Sequence, residues 1–373
     1  MKKIIFGITS LTLGGAERVL VDIVNELSDK YEITIFTIYS KGELEKQLNK
    51  NVKLVSVYNC SFSELSKINK RIIPIKILLF KNRIYNKYIK GKYDIEIAFL
   101  EGAITRIFSC GSKKQKKIVW IHNDISKVFG KGLKSKLKKY IDKSIYKRFN
   151  KLIFVSNDNK NIFEELYKIN NEKQVIYNYI DRKKVLEKSN EEISEKFNED
   201  CINFVTVVRL VEQKAIDRLI EVHSKLIKEE LNHKIYVIGD GPLKNKLEEK
   251  ILKEKVQNTF ILLGKRENPY PYIKKADYFC LLSYFEGYGM VLEEAKILNK
   301  YILITNTAAR EAIKDYDKGQ VLENSKEAIC EGIKNLIQAK NIDKIQNLIE
   351  EKEYDNTYII SQITNLIEEN SQI

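Results

Sequence analysis

The sequence is short of the residues that staple folds or ligate metals. Among 373 residues stand five cysteines, three histidines, four prolines and one tryptophan. Cys60, Cys110, Cys201, Cys280 and Cys330 are scattered, and none belongs to a C-x-x-C pair. An odd count without metal-ligand spacing argues against a disulfide framework and a structural zinc, and fits a reduced cytosolic chain. No apolar run approaches the roughly 20 residues that span a bilayer. The best, IIPIKILLF at 72–80, is short and interrupted by Lys76. The opening MKKIIFGITS has neither the long apolar core nor the small-residue cleavage site of a signal peptide, and reads as a buried first strand. There is no G-x-x-x-x-G-K-[ST], and the G-x-G of VIGDGPL has no third glycine at the required spacing, so nothing marks a P-loop or a dinucleotide fingerprint. No period of 20 to 50 residues indicates a solenoid.

What is present is charge and alternation. The net charge is +14, with 31% charged and 43% hydrophobic residues, interspersed as in a folded chain rather than a disordered one. From Lys113 to Lys151, fourteen Lys or Arg stand against two acidic residues, Asp124 and Asp142. Such a cationic stretch attracts polyanions, either nucleic acid or an anionic membrane face. The length is that of two domains or one large one. KIIFGI, EITIFTI, VKLVSV, IEIAFL, KIVWI and KLIFVS read as strands of a first half. NFVTVV, KIYVIG, TFILLG, DYFCLL and YILIT read as strands of a second, and helical patterns lie between them. Strand–helix alternation means doubly wound parallel sheets. The polar stretch 181–200 divides the halves, and 355–373 reads as a terminal helix.

Ligands of such sheets bind beyond the carboxyl ends of the strands, and the informative residues fall there. Gly14 and Gly15 follow the first strand and open a helix, where backbone N–H groups face an anion. His122 follows a strand in VWIHND, whereas His223 lies within a helical pattern and His233 opens a strand. Arg209 follows a strand, with Lys214 five residues on at a helix start, a pair of cations suited to a diphosphate. In SYFEGYGMVLEEAK, a strand leads through Glu286, Gly287, Tyr288 and Gly289 to a helix carrying Glu294. The glycines expose backbone donors at the helix N-terminus, and Glu294 can accept bonds from sugar hydroxyls. The plain alternatives are an ordinary strand-to-helix turn for Gly14 and Gly15, a hydrogen-bonded structural histidine for His122, and a solvated face for the charged residues.

Taken in order, GGAERV, WIHND, FVSN, VIYNYID, VRLVEQKAIDRLI, VIGDGP, LLGKRENPYPYIKKADYFCLLSYFEGYG and LEEA resemble the family 4 retaining glycosyltransferases of GT-B architecture, in particular those of bacterial capsule and surface polysaccharide. The resemblance spans nearly the whole chain. It implies an α/β fold of two Rossmann-like domains facing across a cleft. Residues 1–180 would form the acceptor-side domain, with the helix at 355–373 returning to it. Residues 181–200 would link it to a nucleotide-sugar-binding domain, 201–354. It implies that Arg209 and Lys214 neutralise the donor pyrophosphate and that Glu294 binds the ribose. Glu286, with the Gly287–Tyr288–Gly289 segment, would hold donor sugar and phosphate. Gly14 and Gly15 would approach the phosphate, and His122 would sit near the donor sugar. The sequence departs from the family where Lys214 is followed by Ala215 instead of glycine, where ILNKYILITN lacks the usual glycine and proline, and where TAARE replaces a glycine-rich loop.

The implied activity is transfer of a hexose or N-acetylhexosamine from a nucleotide sugar, UDP-linked by expectation, to a glycan acceptor on a lipid carrier. No cofactor and no metal are expected, and the D-x-D at 315–317 lies far from the other motifs. KGLKSKLKKYIDKSIYKRFNK carries apolar residues at 133, 137, 141 and 145, one stripe among lysines. The 113–151 region is therefore expected to rest on an anionic membrane, placing the protein in the cytoplasm, peripheral on the inner face of the plasma membrane. A sugar-nucleotide epimerase on the same fold is one alternative, distinguished by turnover without an acceptor. A nucleic-acid-binding or non-catalytic basic protein is another. No nucleic-acid motif accompanies the charge, so no nucleic-acid partner is expected.

Overall fold

The computed structural model describes residues 1–111, 116–122, 133–195, 197, 201–340 and 356–369. The chain divides into two units, Met1–Ile180 with Asn356–Ile373, and Asp181–Asp355. The first holds strands β1 (Lys3–Ile8), β2 (Glu32–Tyr39), β3 (Lys53–Tyr58), β4 (Ile95–Ala98), β5 (Lys116–Ile121), β6 (Lys151–Phe154) and β7 (Glu172–Val175). They form one parallel sheet in the order β3-β2-β1-β4-β5-β6-β7. Its crossovers carry α1 (Gly15–Leu27), α2 (Lys67–Tyr88), α3 (Ala103–Phe108), α4 (Leu133–Tyr146) and α5 (Asn157–Tyr167). The second unit opens with α6 (Arg182–Lys188) and holds β8 (Ile202–Val207), β9 (His233–Ile238), β10 (Phe260–Gly264), β11 (Tyr278–Leu281), β12 (Tyr301–Thr305) and β13 (Gly319–Leu322). These run parallel in the order β10-β9-β8-β11-β12-β13. Helices α7 (Ile216–Lys228), α8 (Lys244–Lys253), α9 (Tyr270–Lys275), α10 (Met290–Ile297) and α11 (Lys326–Lys340) connect them, and α12 (Thr357–Glu368) closes the described chain.

The central strands are apolar on both faces because helices cover both: Ile4, Ile5, Phe6, Ile8, Ile33, Ile35, Phe204, Val205 and Phe279 are all buried. The sheet order reverses between β1 and β4 in one unit and between β8 and β11 in the other. Those reversals open the crevices where open α/β sheets bind ligands.

Two of the expectations shift. The stretch 181–200, read as a divider, is fastened to the second unit. Asp181 caps α6 through Lys184 N (3.1 Å), Asn268 donates to Lys188 O (2.8 Å), and Tyr272 donates to Glu195 (2.6 Å). The helix α12 lies on the first unit: Lys116 donates to Leu366 O (2.8 Å), Tyr31 to Glu368 (2.8 Å), and Asn356 to Ile180 O (2.8 Å). The basic stretch 113–151 is also not one surface. Lys117 is 1% exposed, facing Glu96 (3.5 Å), whose other oxygen accepts from Tyr85 (2.8 Å). Lys151 is buried between Glu172 and Glu369. Lys116, Lys117 and Lys151 therefore hold the fold together. Residues 113–115 and 123–132 of that stretch lie outside the described residues.

Candidate functional site

In the second unit, β8 runs out at Val207 and the chain turns across the end of β9. Val208 N donates to Ile238 O (2.9 Å) and Leu210 N to Asp240 O (3.0 Å). Gly239 and Gly241 make this approach possible, since a Cβ on either would collide with the carbonyl oxygens of Val208 and Leu210, and Gly239 has φ +144°. The G-x-G of VIGDGPL thus sets the turn that carries Arg209, a role its missing third glycine concealed. Arg209 itself is exposed.

A single 3₁₀ turn, Glu212–Lys214, follows, and the chain enters α7 through Ala215 at φ 52°, ψ 33°. This is the left-handed region, costly for any residue with a Cβ. Ala215 stands where the family resemblance places glycine. Ala215→Gly is expected to raise stability by about 0.5–1 kcal/mol, readable as a higher urea midpoint. A lower midpoint would show that the buried methyl matters more than the backbone.

Lys214 Nζ bonds Glu286 Oε2, and the two side chains are 17% and 12% exposed. Ser283 Oγ donates to the same carboxylate oxygen (3.3 Å), while Thr305 Oγ1 donates to Ser283 O (2.7 Å). The pair joins the segment after β8 to the loop after β11, at the sheet's switch point. Gly289, at φ 74°, is the N-cap of α10, a conformation that glycine adopts without penalty. Gly287 lies half-buried two residues before it. Glu294 is 5% exposed and accepts from Tyr270 OH (3.2 Å). Tyr288, expected among donor contacts, turns inward: it is 5% exposed, and its hydroxyl donates to Glu293 (2.7 Å), which also pairs with Lys296 (2.8 Å). Its ring supports α10, leaving the loop's backbone and the Lys214–Glu286 pair as the polar groups of this segment.

In the first unit, Gly14 is the N-cap of α1, in extended backbone at φ −137°. Gly15 opens the helix and is exposed. The Glu17 carboxylate folds back over Gly14 so closely that a Cβ there would strike it. Burial raises its pKa above the usual carboxylate value. His122 lies beyond β5 with its ring 4.8 Å from that of Phe99. Its backbone N–H donates to Glu101 (2.7 Å), and its carbonyl accepts from Asn159 (3.4 Å). Burial pushes the imidazole pKa down to about 3. His122 is therefore neutral at physiological pH and can offer or accept a hydrogen bond but not a positive charge. Its Nε2 has no hydrogen-bond partner among the described residues. Glu101, at the end of β4, had no motif to reveal it.

Among the described residues, no three His, Cys, Asp or Glu side chains are grouped to hold a metal ion. None of the described helices is long and apolar enough to cross a membrane.

Two doubly wound parallel sheets, each with charged or glycine-rich segments at its switch point, define the GT-B class of fold. The Anabaena protein HepE, solved in complex with UDP and glucose, superimposes with a TM-score of 0.70 at 17% identity, covering 98% of this chain and 99% of its own. The family description "Glycosyltransferase Family 4" matches residues 13–184, and "Glycosyl transferases group 1" matches 187–354. An uncharacterised glycosyltransferase of Methanocaldococcus jannaschii is 29% identical over 79% of this chain and 73% of its own. The N-acetylgalactosamine-N,N'-diacetylbacillosaminyl-diphospho-undecaprenol 4-alpha-N-acetylgalactosaminyltransferase of Campylobacter jejuni is 26% identical over 92% of each. The chain belongs to glycosyltransferase family 4 and is a glycosyltransferase.

Proposed function

We propose that this enzyme moves a hexosyl or N-acetylhexosaminyl group from a UDP-linked donor to a lipid-linked glycan, with retention at the anomeric carbon and without a metal. The observation that carries this is the Lys214–Glu286 pair, on the segment after β8 that also carries Arg209, at the switch point of the second sheet. An incoming diphosphate takes Lys214 from the carboxylate, and Glu286 is released to the donor-sugar hydroxyls. Arg209 adds a bidentate contact, and the N-terminus of α10 with Gly287 and Gly289 adds backbone donors. As the anomeric C–O bond breaks, charge grows on the leaving diphosphate, and these fixed groups favour that state over the ground state. The acceptor oxygen attacks the same face, and its proton passes to the departing phosphate oxygen. Glu294 receives the ribose hydroxyls, sharing its carboxylate with Tyr270. In the first unit, the residues proposed for the donor are Gly14 and Gly15, for the phosphate, and neutral His122, for the sugar. The Campylobacter relative's name supports the acceptor class, a diphospho-undecaprenol glycan, and an alpha linkage.

The test is a thermal-shift panel of UDP, GDP, ADP and their sugar conjugates without metal. Ligand at about 100 times its dissociation constant stabilises by roughly 2.7 kcal/mol. The expected result is a shift selective for UDP and UDP-sugars that Glu294→Ala abolishes. Absence of a shift with any nucleotide would overturn the donor assignment.

An anionic membrane is the proposed partner surface. The 113–151 stretch, with Lys147 and Arg148 exposed, contributes to it, but α2 supports the proposal more strongly. This helix has seven Lys or Arg and no acidic residue. It turns Ile73 and Ile77 inward, yet Ile68, Ile72, Ile75 and Leu79 are 67%, 38%, 57% and 70% exposed. Their i, i+4, i+7, i+11 spacing makes one outward stripe, flanked by Arg71, Lys76 and Arg83, which suits an anionic bilayer surface. Vesicle flotation at low salt is expected to show binding to anionic but not neutral lipid, lost on Ile75→Ser with Leu79→Ser. Equal binding to both vesicles would end the proposal.

A further inference from the structure

We propose that Arg218 is a positioning residue for the 282–289 loop, holding Glu286 at the height where it meets Lys214. Arg218 lies in the first turn of α7 and is 7% exposed. Its Nη2 donates to Leu282 O (2.8 Å) and its Nη1 to Asn324 Oδ1 (2.9 Å), and its guanidinium sits 4.4 Å from the centre of the Tyr284 ring. The struts continue from there. Asn324 Nδ2 donates to Tyr284 O (2.8 Å), Tyr284 N donates to Gln213 O (2.9 Å), and Gln213 Nε2 donates to Phe285 O (2.9 Å). The backbone is thus gripped at residues 282, 284 and 285, immediately before Glu286. The side chains of Tyr284 and Phe285 are 45% and 43% exposed, so they give the loop little core of its own.

Arg218 makes no ion pair with a carboxylate among the described residues, and its acceptors are neutral oxygens. Burying a charge this way is costly, and an apolar side chain would serve packing alone as well. What the guanidinium supplies is a planar fork that reaches two strand ends and stacks on a ring at once. Lysine cannot reproduce that geometry. A displacement of about 1 Å in a catalytic group can cost 10²-fold in rate, so the position of Glu286 is worth fixing.

The kinetic consequence rests on the donor-binding reading above, but the positional one does not. Amide hydrogen exchange of the ligand-free full chain therefore decides it. In Arg218→Gln and Arg218→Lys, exchange at 283–289 is expected to quicken about ten-fold or more, the scale of one lost charge-assisted hydrogen bond. Strands β8, β9 and β12 should stay as protected as in the unaltered protein. Asn324→Ala, which cuts the same strut from half-buried ground, should quicken exchange at 284–286 and covers the case in which Arg218 variants fail to fold. Unchanged exchange at 283–289, or a uniform rise across the unit, would overturn the proposal. Calorimetry then reads the consequence: UDP-sugar binding weakens about ten-fold while UDP alone changes less, because Glu286 meets the sugar. If the unaltered protein binds no nucleotide, the donor reading falls and the exchange result still stands.

Discussion

Arg209→Ala is expected to lose roughly 10²–10³ in transfer rate with an unchanged melting temperature, the usual cost of removing one fixed donor to developing charge. Its guanidinium is exposed and makes no hydrogen bond or ion pair among the described residues, so the fold owes it nothing. Lys214→Ala should lose as much activity but should also destabilise the protein. It strands Glu286, 12% exposed, without its cation, and an orphaned carboxylate both costs stability and repels the incoming phosphate. Glu286→Gln in the Lys214→Ala background should restore the melting temperature without restoring turnover. Steady-state kinetics beside thermal melts of the four proteins separate the two effects. Near-normal turnover in both single variants would refute the clamp.

Acid should loosen the second unit well before its carboxylates titrate. His223 and His233 are both buried, their rings linked through Nδ1 and Nε2 at 2.8 Å. His233 Nδ1 meets Leu231 O (2.7 Å), and a carbonyl can only accept, so Nδ1 carries the proton. His233 Nε2 then accepts from His223 Nδ1, and His223 Nε2 accepts from Thr259 Oγ1 (2.8 Å). An added proton on His233 Nε2 sets donor against donor, whereas the Thr259 hydroxyl can turn its hydrogen to Val256 O (3.3 Å). Burial lowers the pKa of His223 to about 2, helped by the charge of His233, and lowers that of His233 to about 4 against the bond to Leu231 O. Both folded values lie below the unfolded value of about 6.5. The unfolded chain therefore takes up protons that the fold refuses, and stability present above that pH is lost as pH falls. At about 1.4 kcal/mol per pH unit per ring, moving from pH 7 to pH 5 costs up to about 4 kcal/mol. The nearby carboxylates Glu221 and Glu254 have lowered values, so they titrate later. Amide exchange at β8–β10 reads this unit directly, since Trp120 lies in the other. Equal protection at pH 7 and pH 5 would contradict the relay, and His233→Gln should roughly halve the pH dependence.

The central strands were legible because buried parallel strands are short, continuous runs rich in β-branched residues and bounded by turns. The edges were not. EKQV of β7 and GQVL of β13 are short and half-exposed, and their composition is that of a loop. Helix α2 was read only as a short apolar run interrupted by Lys76. Ser66 caps it through Asn69 N (3.2 Å), and its non-helical residue is Phe80, not the proline. The switch-point cations, Glu286 and Glu294 came from ordered motifs. Arg218 did not, because a charge at helical spacing looks solvated until the fold buries it. Lys116, Lys117 and Lys151 mislead in the same way, since counting cations along a chain cannot tell a surface from an interior.

The return of α12 also has a consequence for the order in which the protein is made. Everything from Asp181 to Asp355 is, in topological terms, an insertion into the first unit, between residues whose ends meet at the Asn356–Ile180 hydrogen bond. On the ribosome the inserted unit is complete before its host, whose Lys2, Tyr31 and Lys116 wait more than two hundred residues for their partners on α12. Joining Ile180 to Asn356 through a short polar bridge should release the host as a single uninterrupted domain.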